Sequence, residues 1–183
     1  EEDYFLYFGR ISEEKGLSDL IEVVNDLKIK NKLNKNKLKI VGKGPLEDDL
    51  KKKVQELKCG NQVEFLGFKK GKVLKKIISK SKFVVIPSIW YDNSPMVIME
   101  AQFLKKPVIV SDFGGSKESI IDGETGFVFK GKNKADLFKK ISNLLEIGKN
   151  KRIMMGERGK KNIMKIFNQE KLYKDLIGLY KKL

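Results

Sequence analysis

Apolar and polar positions alternate along the chain in two rhythms: short apolar runs, and longer stretches with a helical period. The short runs are Tyr4 to Phe8, Lys37 to Val41, Val63 to Gly67, Phe83 to Ile86, Pro107 to Val110 and Phe127 to Phe129, solid in Phe83 to Ile86 and interrupted by Lys37, Lys39 and Glu64 in the second and third. Each is short, rich in β-branched or aromatic residues and bounded by glycine or polar turn residues, which predicts a strand. Between them, Leu17, Leu20, Ile21, Val24 and Leu27 keep the spacing of one helical face, predicting a helix from about Leu17 to Lys30. The same reading predicts helices through Leu46, Leu50, Val54 and Leu57, over Val73 to Ser79, and over Pro95 to Leu104. A short helix is expected from Gly114-Gly115 through Ile120 and Ile121, and a longer one over Ala135 to Ile147. Two tail helices, about Lys151 to Phe167 and Gln169 to Leu183, close the chain. Strands that are apolar throughout must be covered on both sides, and strands joined through helices run parallel. The expected fold is therefore α/β, a parallel sheet with helices on both faces in a single domain over residues 1–183, with a helical tail from about 149.

Sheets of this kind bind ligands beyond the carboxyl ends of their strands. The polar loops after Phe8, Val41, Phe65 and Ile86 all open on that edge. After Phe83 to Ile86 and Pro87-Ser88 comes Ile89 to Ala101, where Ser94 reads as an N-cap and Pro95 as the first helical residue. A helix beginning there aims unpaired N–H groups and its positive end at an anion, framed by the carboxylates Asp92 and Glu100. Arg10 and Lys15 share the glycine-bounded loop after Phe8; two cations of different geometry match the spread charge of a diphosphate. Gly42-Lys43-Gly44 also follows a strand, but Glu47 stands where a dinucleotide fingerprint needs its third glycine, so a tight strand-to-helix turn is preferred. Glu47, Asp48 and Asp49 belong to the first turn of a helix, complementing its dipole. Nothing in the sequence has metal-ligand spacing. Gly114-Gly115 reads equally well as a close approach to a ligand or as a simple turn.

Composition narrows the chemistry. The chain has no histidine, which excludes a histidine base, a histidine metal ligand and a Ser-His triad. A lone Cys59 excludes an internal disulfide framework and fits a reducing, cytoplasmic setting. The net charge is +15, yet only Arg10, Arg152 and Arg158 are arginines. Lysines spread along the whole chain suit a solvated surface or an anionic membrane or acceptor better than base readout, so no nucleic-acid partner is expected. No apolar run reaches the length of a spanning helix. The chain opens on Glu1-Glu2-Asp3 directly before a strand, without an initiator Met, and reads as a fragment of something longer.

These residues carry a family resemblance. Gly9-Arg10 with Lys15-Gly16 resembles the "GR-x-x-x-x-KG" segment of retaining glycosyltransferases of family 4, which have the GT-B fold. Ile40 to Pro45 is similar to their "I-x-G-x-G-P" turn and Val63 to Gly67 to their "V-x-F-L-G" strand. Pro87-Ser88, with the stretch from Asp92 to Glu100-Ala101, is similar to their "PS…E-x7-E-A" signature. Lys106 to Ile109, Gly114 to Glu118 and Gly123 to Val128 complete the series, in order, from Tyr4 to about Leu145.

The resemblance implies a Rossmann-like domain, the C-terminal half of a GT-B fold, which holds a nucleotide-sugar donor; the N-terminal acceptor domain is absent from this chain. It implies that Arg10 and Lys15 bind the donor diphosphate, Glu100 the ribose hydroxyls and Asp92 the donor sugar. Main-chain N–H groups of Met96 and Val97 would cap sugar and phosphate, and Gly67 and Phe68 would border the base. The co-substrate would be a UDP- or GDP-hexose, with no cofactor and no metal, and the acceptor a glycan or a lipid-linked glycan. Without its acceptor domain the isolated chain would bind nucleotide but not turn over. Asp92 departs from the family's usual Glu by one methylene, and Pro95 replaces a residue that often offers an N–H. Both departures fall at the sugar end. A nucleotide-sugar epimerase or a phosphorylase half on the same fold is an alternative, as is a basic module docking on the cytoplasmic membrane face through its lysine-rich tail.

Overall fold

The computed structural model describes residues 1–91 and 96–166. Six strands form one parallel sheet: β1 (Tyr4–Phe8), β2 (Lys37–Val41), β3 (Val63–Gly67), β4 (Val84–Ile86), β5 (Val108–Ser111) and β6 (Gly126–Phe129), in the order β3-β2-β1-β4-β5-β6. Between them run α1 (Leu17–Ile29), α2 (Glu47–Glu56), α3 (Gly71–Lys80), α4 (Met96–Phe103), α5 (Lys134–Glu146) and α6 (Lys149–Ile166). The α/β expectation holds, with strand bounds within a residue or so of those read from the sequence. Asp92, Ser94 and Pro95, and the helix expected over Gln169 to Leu183, lie outside the described residues.

Strand alternation divides the interior into two cores. Phe5 and Tyr7 of β1, with Leu38, Ile40, Val85 and Ile109, point toward α1, α2 and α5. Tyr4, Leu6 and Phe8 point the other way, with Val84, Ile86, Val108 and Val110, toward α3 and α4. Six residues of α1 are buried (Leu17, Leu20, Ile21, Val23, Val24 and Leu27). At about 2 kcal/mol for each fully buried aliphatic side chain, α1 is the main anchor on its face. By contrast α3 buries only Ile78, so its outer surface is almost wholly solvent-facing.

The chain turns back at the amino edge of the sheet through a buried cluster of charges. Arg152 of α6 donates to the carbonyls of Leu144 (3.2 Å) and Ile147 at the end of α5, satisfying acceptors that a helix terminus leaves open. Its guanidinium also pairs with Glu1 at 2.9 Å. Lys106, buried just before β5, donates to the Ser81 carbonyl at 2.8 Å. Gly156 lets α6 lie against the end of α4; a Cβ there would stand 1.9 Å from the Lys105 carbonyl oxygen.

Two elements depart from expectation. The helix after β3 begins at Gly71 rather than Val73, because its first two residues, Gly71 and Lys72, offer no apolar side chain to mark it. The segment opening on Gly114-Gly115 is a 3-10 helix (Gly114–Ser119) that ends before Ile120 and Ile121; Ile120 is already extended. Thr125 holds that exit, its hydroxyl accepting the Ile121 N–H at 2.9 Å.

Burial pushes the Lys106 ammonium below its ordinary range, with Glu1 opposing the shift and Arg152 adding to it. The folded chain therefore binds fewer protons than the unfolded one between the lowered pKa and the ordinary lysine value, and stability rises with pH across that window. Stability of the wild-type chain relative to Lys106→Met should be flat below the lowered pKa and rise as pH climbs toward the unfolded value, as read by urea unfolding at a series of alkaline pH values. A flat difference throughout would show that Lys106 is not strained by burial.

Candidate functional site

The strand order reverses between β1 and β4, whose only direct pairing is Leu6 with Val84. Loops leaving the two strands therefore diverge, and a crevice forms at their carboxyl ends. The loop after β1 forms its floor. It is held by backbone on both sides: Gly9 N–H donates to the Val41 carbonyl (2.9 Å) and Ile11 N–H to the Lys43 carbonyl (3.0 Å). Toward β4, Ile89 N–H donates to the Glu14 carbonyl at 2.9 Å. The Tyr7 hydroxyl donates to the Arg10 carbonyl at 2.6 Å.

Glycines permit this three-loop contact. A Cβ on Gly42 would stand 1.8 Å from the Gly9 carbonyl oxygen, and one on Gly44 would stand 2.0 Å from that of Ile11. Both spaces are filled by the neighbouring loop, which gives Gly42-Lys43-Gly44 the packing role of a tight turn. Gly16, at φ 66°, closes the 3-10 turn Glu13–Lys15 and opens α1. A side chain there would collide with the Pro87 carbonyl. Within the turn the Ser12 hydroxyl donates to the Glu14 carboxylate. That bond and the Glu14 backbone amide, with Lys15 and Arg10 nearby, hold its pKa below the usual carboxylate range.

Arg10 is exposed and lines a pocket of about 310 Å³ together with Gly9, Gly42, Lys43, Phe68 and Lys69. Two of the predicted groups thus meet: the cation of the first loop and the β3 exit at Phe68, which follows Gly67 at φ 66°. Leu74 of α3 forms one wall and also lines a second cleft of about 500 Å³ between α3 and α4, where Glu100 stands exposed. Leu74 lines both spaces, with Arg10 in the first and Glu100 in the second. Met96 is exposed in the first turn of α4, and Val97 leans on the second core. Lys15 is half-buried at the end of its turn and is not among the residues that line the Arg10 pocket.

Lys43 and Lys69 were not singled out from the sequence, yet both line the pocket beside Arg10. A hint was available for Lys43, the residue between the two glycines of a turn at the ligand edge. On the far side of the crevice Trp90 and Tyr91 are largely exposed, and Tyr91 packs edge-on against Phe113 at 5.6 Å. Among the described residues no cluster of acidic and cysteine side chains is placed to hold a metal ion.

Comparison with known proteins adds to this geometry. The family model described as glycosyl transferases group 1 matches residues 1–162. An uncharacterized glycosyltransferase of Methanocaldococcus jannaschii is 30% identical over 181 residues, covering 99% of this chain and 45% of that protein. The chain spans less than half the length of the curated relatives it matches. The catalytic domain of the Helicobacter pylori cholesterol-alpha-glucosyltransferase superposes with a TM-score of 0.76 at 26% identity, over 89% of this chain and 98% of that one. Anabaena HepE, in its complex with UDP-glucose, superposes with a TM-score of 0.82 at 21% identity, over 99% of this chain and 49% of that one. The fold is thus the Rossmann-like one of GT-B glycosyltransferase structures.

The glycine contacts yield a direct test. Gly44→Ala should cost about 2–3 kcal/mol through overpacking against Ile11, whereas Gly60→Ala, where a Cβ meets nothing within 4 Å, should change stability by under about 0.5 kcal/mol. Equal midpoints for the two variants in urea unfolding would refute the packing role of the turn.

Proposed function

The chain belongs to the glycosyl transferases group 1 family, and from that premise we propose that it is the donor-binding domain of a retaining glycosyltransferase of family 4. The proposed donor is a UDP- or GDP-hexose, and the acceptor a glycan or lipid-linked glycan held by a further, N-terminal domain. The observation that carries the reading is the pocket at the sheet's switch point, where Arg10, Lys43 and Lys69 line a space of about 310 Å³, with Glu100 in a neighbouring cleft that shares Leu74 with it. Three cations at one end and a carboxylate at the other suit a ligand with an anionic middle and a hydroxylated ring. The UDP-glucose bound by HepE, whose fold this chain shares, is a ligand of that kind.

In this reading Arg10 and Lys15 approach the diphosphate from the first loop. Glu100 accepts hydrogen bonds from the ribose hydroxyls, and the base lies at Gly67 and Phe68. Met96 and Val97 stand in the first turn of α4, where a helix has N–H groups without carbonyl partners of its own, and these would face sugar and phosphate. Asp92 would contact the sugar hydroxyls. As the bond from the anomeric carbon to the diphosphate oxygen breaks, negative charge grows on the leaving group. Cations fixed beforehand at that point lower the barrier more than they tighten ground-state binding. The tethered Arg10 backbone serves this preorganisation, because the Tyr7 hydroxyl and the Lys43 carbonyl hold the loop on both sides of it. Transfer also needs an acceptor placed against the anomeric carbon, so the isolated chain should bind donor without turnover.

Calorimetry with UDP, GDP, ADP and their sugars tests the reading. One nucleotide should bind, and Arg10→Ala should weaken it by about 10- to 100-fold, the worth of one charge-assisted hydrogen bond. No heat for any donor at millimolar ligand would sink the proposal; unchanged affinity in Arg10→Ala would remove Arg10 from the site.

A further inference from the structure

The segment from Phe68 to Lys80 contains Lys69, Lys70, Lys72, Lys75, Lys76 and Lys80 and no acidic residue. Elsewhere in the chain lysines commonly sit beside carboxylates: Lys51 with Glu47 at 2.8 Å, Lys32 with Glu146 at 2.8 Å, Lys105 with Glu157 at 2.7 Å. In this segment only Lys80 has such a partner among the described residues, Glu2. The stretch Leu27 to Leu46 is also lysine-rich and free of acids, but there Lys32, Lys35 and Lys39 pair with Glu146, Asp3 and Glu64 from other parts of the fold. The same surface exposes large apolar side chains. Phe68 is 61% exposed and Val73 55%, while Phe103 stands 42% exposed across the cleft between α3 and α4. Leu74, Ile78 and Leu104 line that cleft, with Lys75 at its rim.

We propose that this surface, the loop after β3 and the outer face of α3, is a docking site for an anionic phospholipid membrane. Lysine heads on long flexible stems would lie at the phosphates while Val73 enters the acyl boundary. Lysine is a mobile point charge, suited to a diffuse anionic surface rather than to forked recognition of single phosphates or base edges. The segment is distinct from α6, the described part of the tail that the sequence suggested as a basic surface. Within α6, Glu157 pairs with Lys105 and Arg152 is buried against the end of α5. The inference does not rest on the identity of the nucleotide.

Sedimentation of the 183-residue chain with vesicles at low salt tests it, comparing phosphatidylcholine alone with an equal mixture of phosphatidylcholine and phosphatidylglycerol. The chain should bind only the anionic vesicles. Lys70→Gln, Lys72→Gln and Lys76→Gln together should weaken binding roughly 100-fold, about 5-fold per lysine. The same charge removed at Lys130, Lys132 and Lys139 should change it only a few-fold. Val73→Asp should also weaken binding, with an unchanged thermal midpoint showing that the fold survives. No sedimentation with anionic vesicles overturns the proposal, as does equal loss in the two triple variants, which would mean net charge alone is felt. Duplex DNA competing as strongly as vesicles for the α3 lysines overturns it too. Nucleotide binding is read separately, so failure of either idea leaves the other standing.

Discussion

Everything at the carboxyl edge depends on three loops touching through bare backbone. Gly42 and Gly44 let the loop after β2 close on Gly9 and Ile11, and Gly16 lets the turn before α1 close on Pro87. A single Cβ at any of these points would fall within about 2 Å of a carbonyl oxygen, inside any tolerable contact distance. The contact converts three separate excursions into one rigid rim. Arg10 is then carried by a loop with few degrees of freedom, and the crevice is defined by backbone before any polar side chain enters it.

That division of labour explains the charge pattern near the site. The rim fixes where a ligand lies, and the side chains at its tips supply sign and affinity. Arg10 offers a planar fork, whereas Lys43 and Lys69 offer mobile charge. With three cations on one pocket and Glu14 kept ionised by Ser12 behind them, the local field favours an anion without burying an unpaired charge. The strongly buried charges lie at the opposite edge, where Arg152, Glu1 and Lys106 tie α5, α6 and the first strands together. Structural and ligand-facing charges are thus separated by the length of the sheet.

Most of the fold was legible because short apolar-rich strands, solidly apolar at β4, alternate with amphipathic helices, and α1 shows a stripe of aliphatic residues. Boundaries failed where that signal thins: α3 starts two residues early on Gly71, and the 3-10 helix stops at Ser119 because Thr125 claims the Ile121 amide. The site was legible in part. Arg10, Phe68 and Glu100 could be nominated because motifs mark them, and the structure puts Arg10 and Phe68 on one pocket with Glu100 beyond its wall. Lys43 and Lys69 could not, since their meeting depends on two loops that are distant in sequence and adjacent only in the folded sheet.

The same reasoning says where this scaffold can vary. Glycines at the loop contacts cannot change without opening the rim, and the strands beneath are closed on both faces. Positions 10, 43, 68 and 69 carry side chains that line the pocket, and Phe68 in particular is 61% exposed. Replacing such a residue alters charge, reach or stacking surface at little cost to the core. A binding surface of this construction can therefore be retuned one side chain at a time, while the backbone contacts that shape it stay as they are.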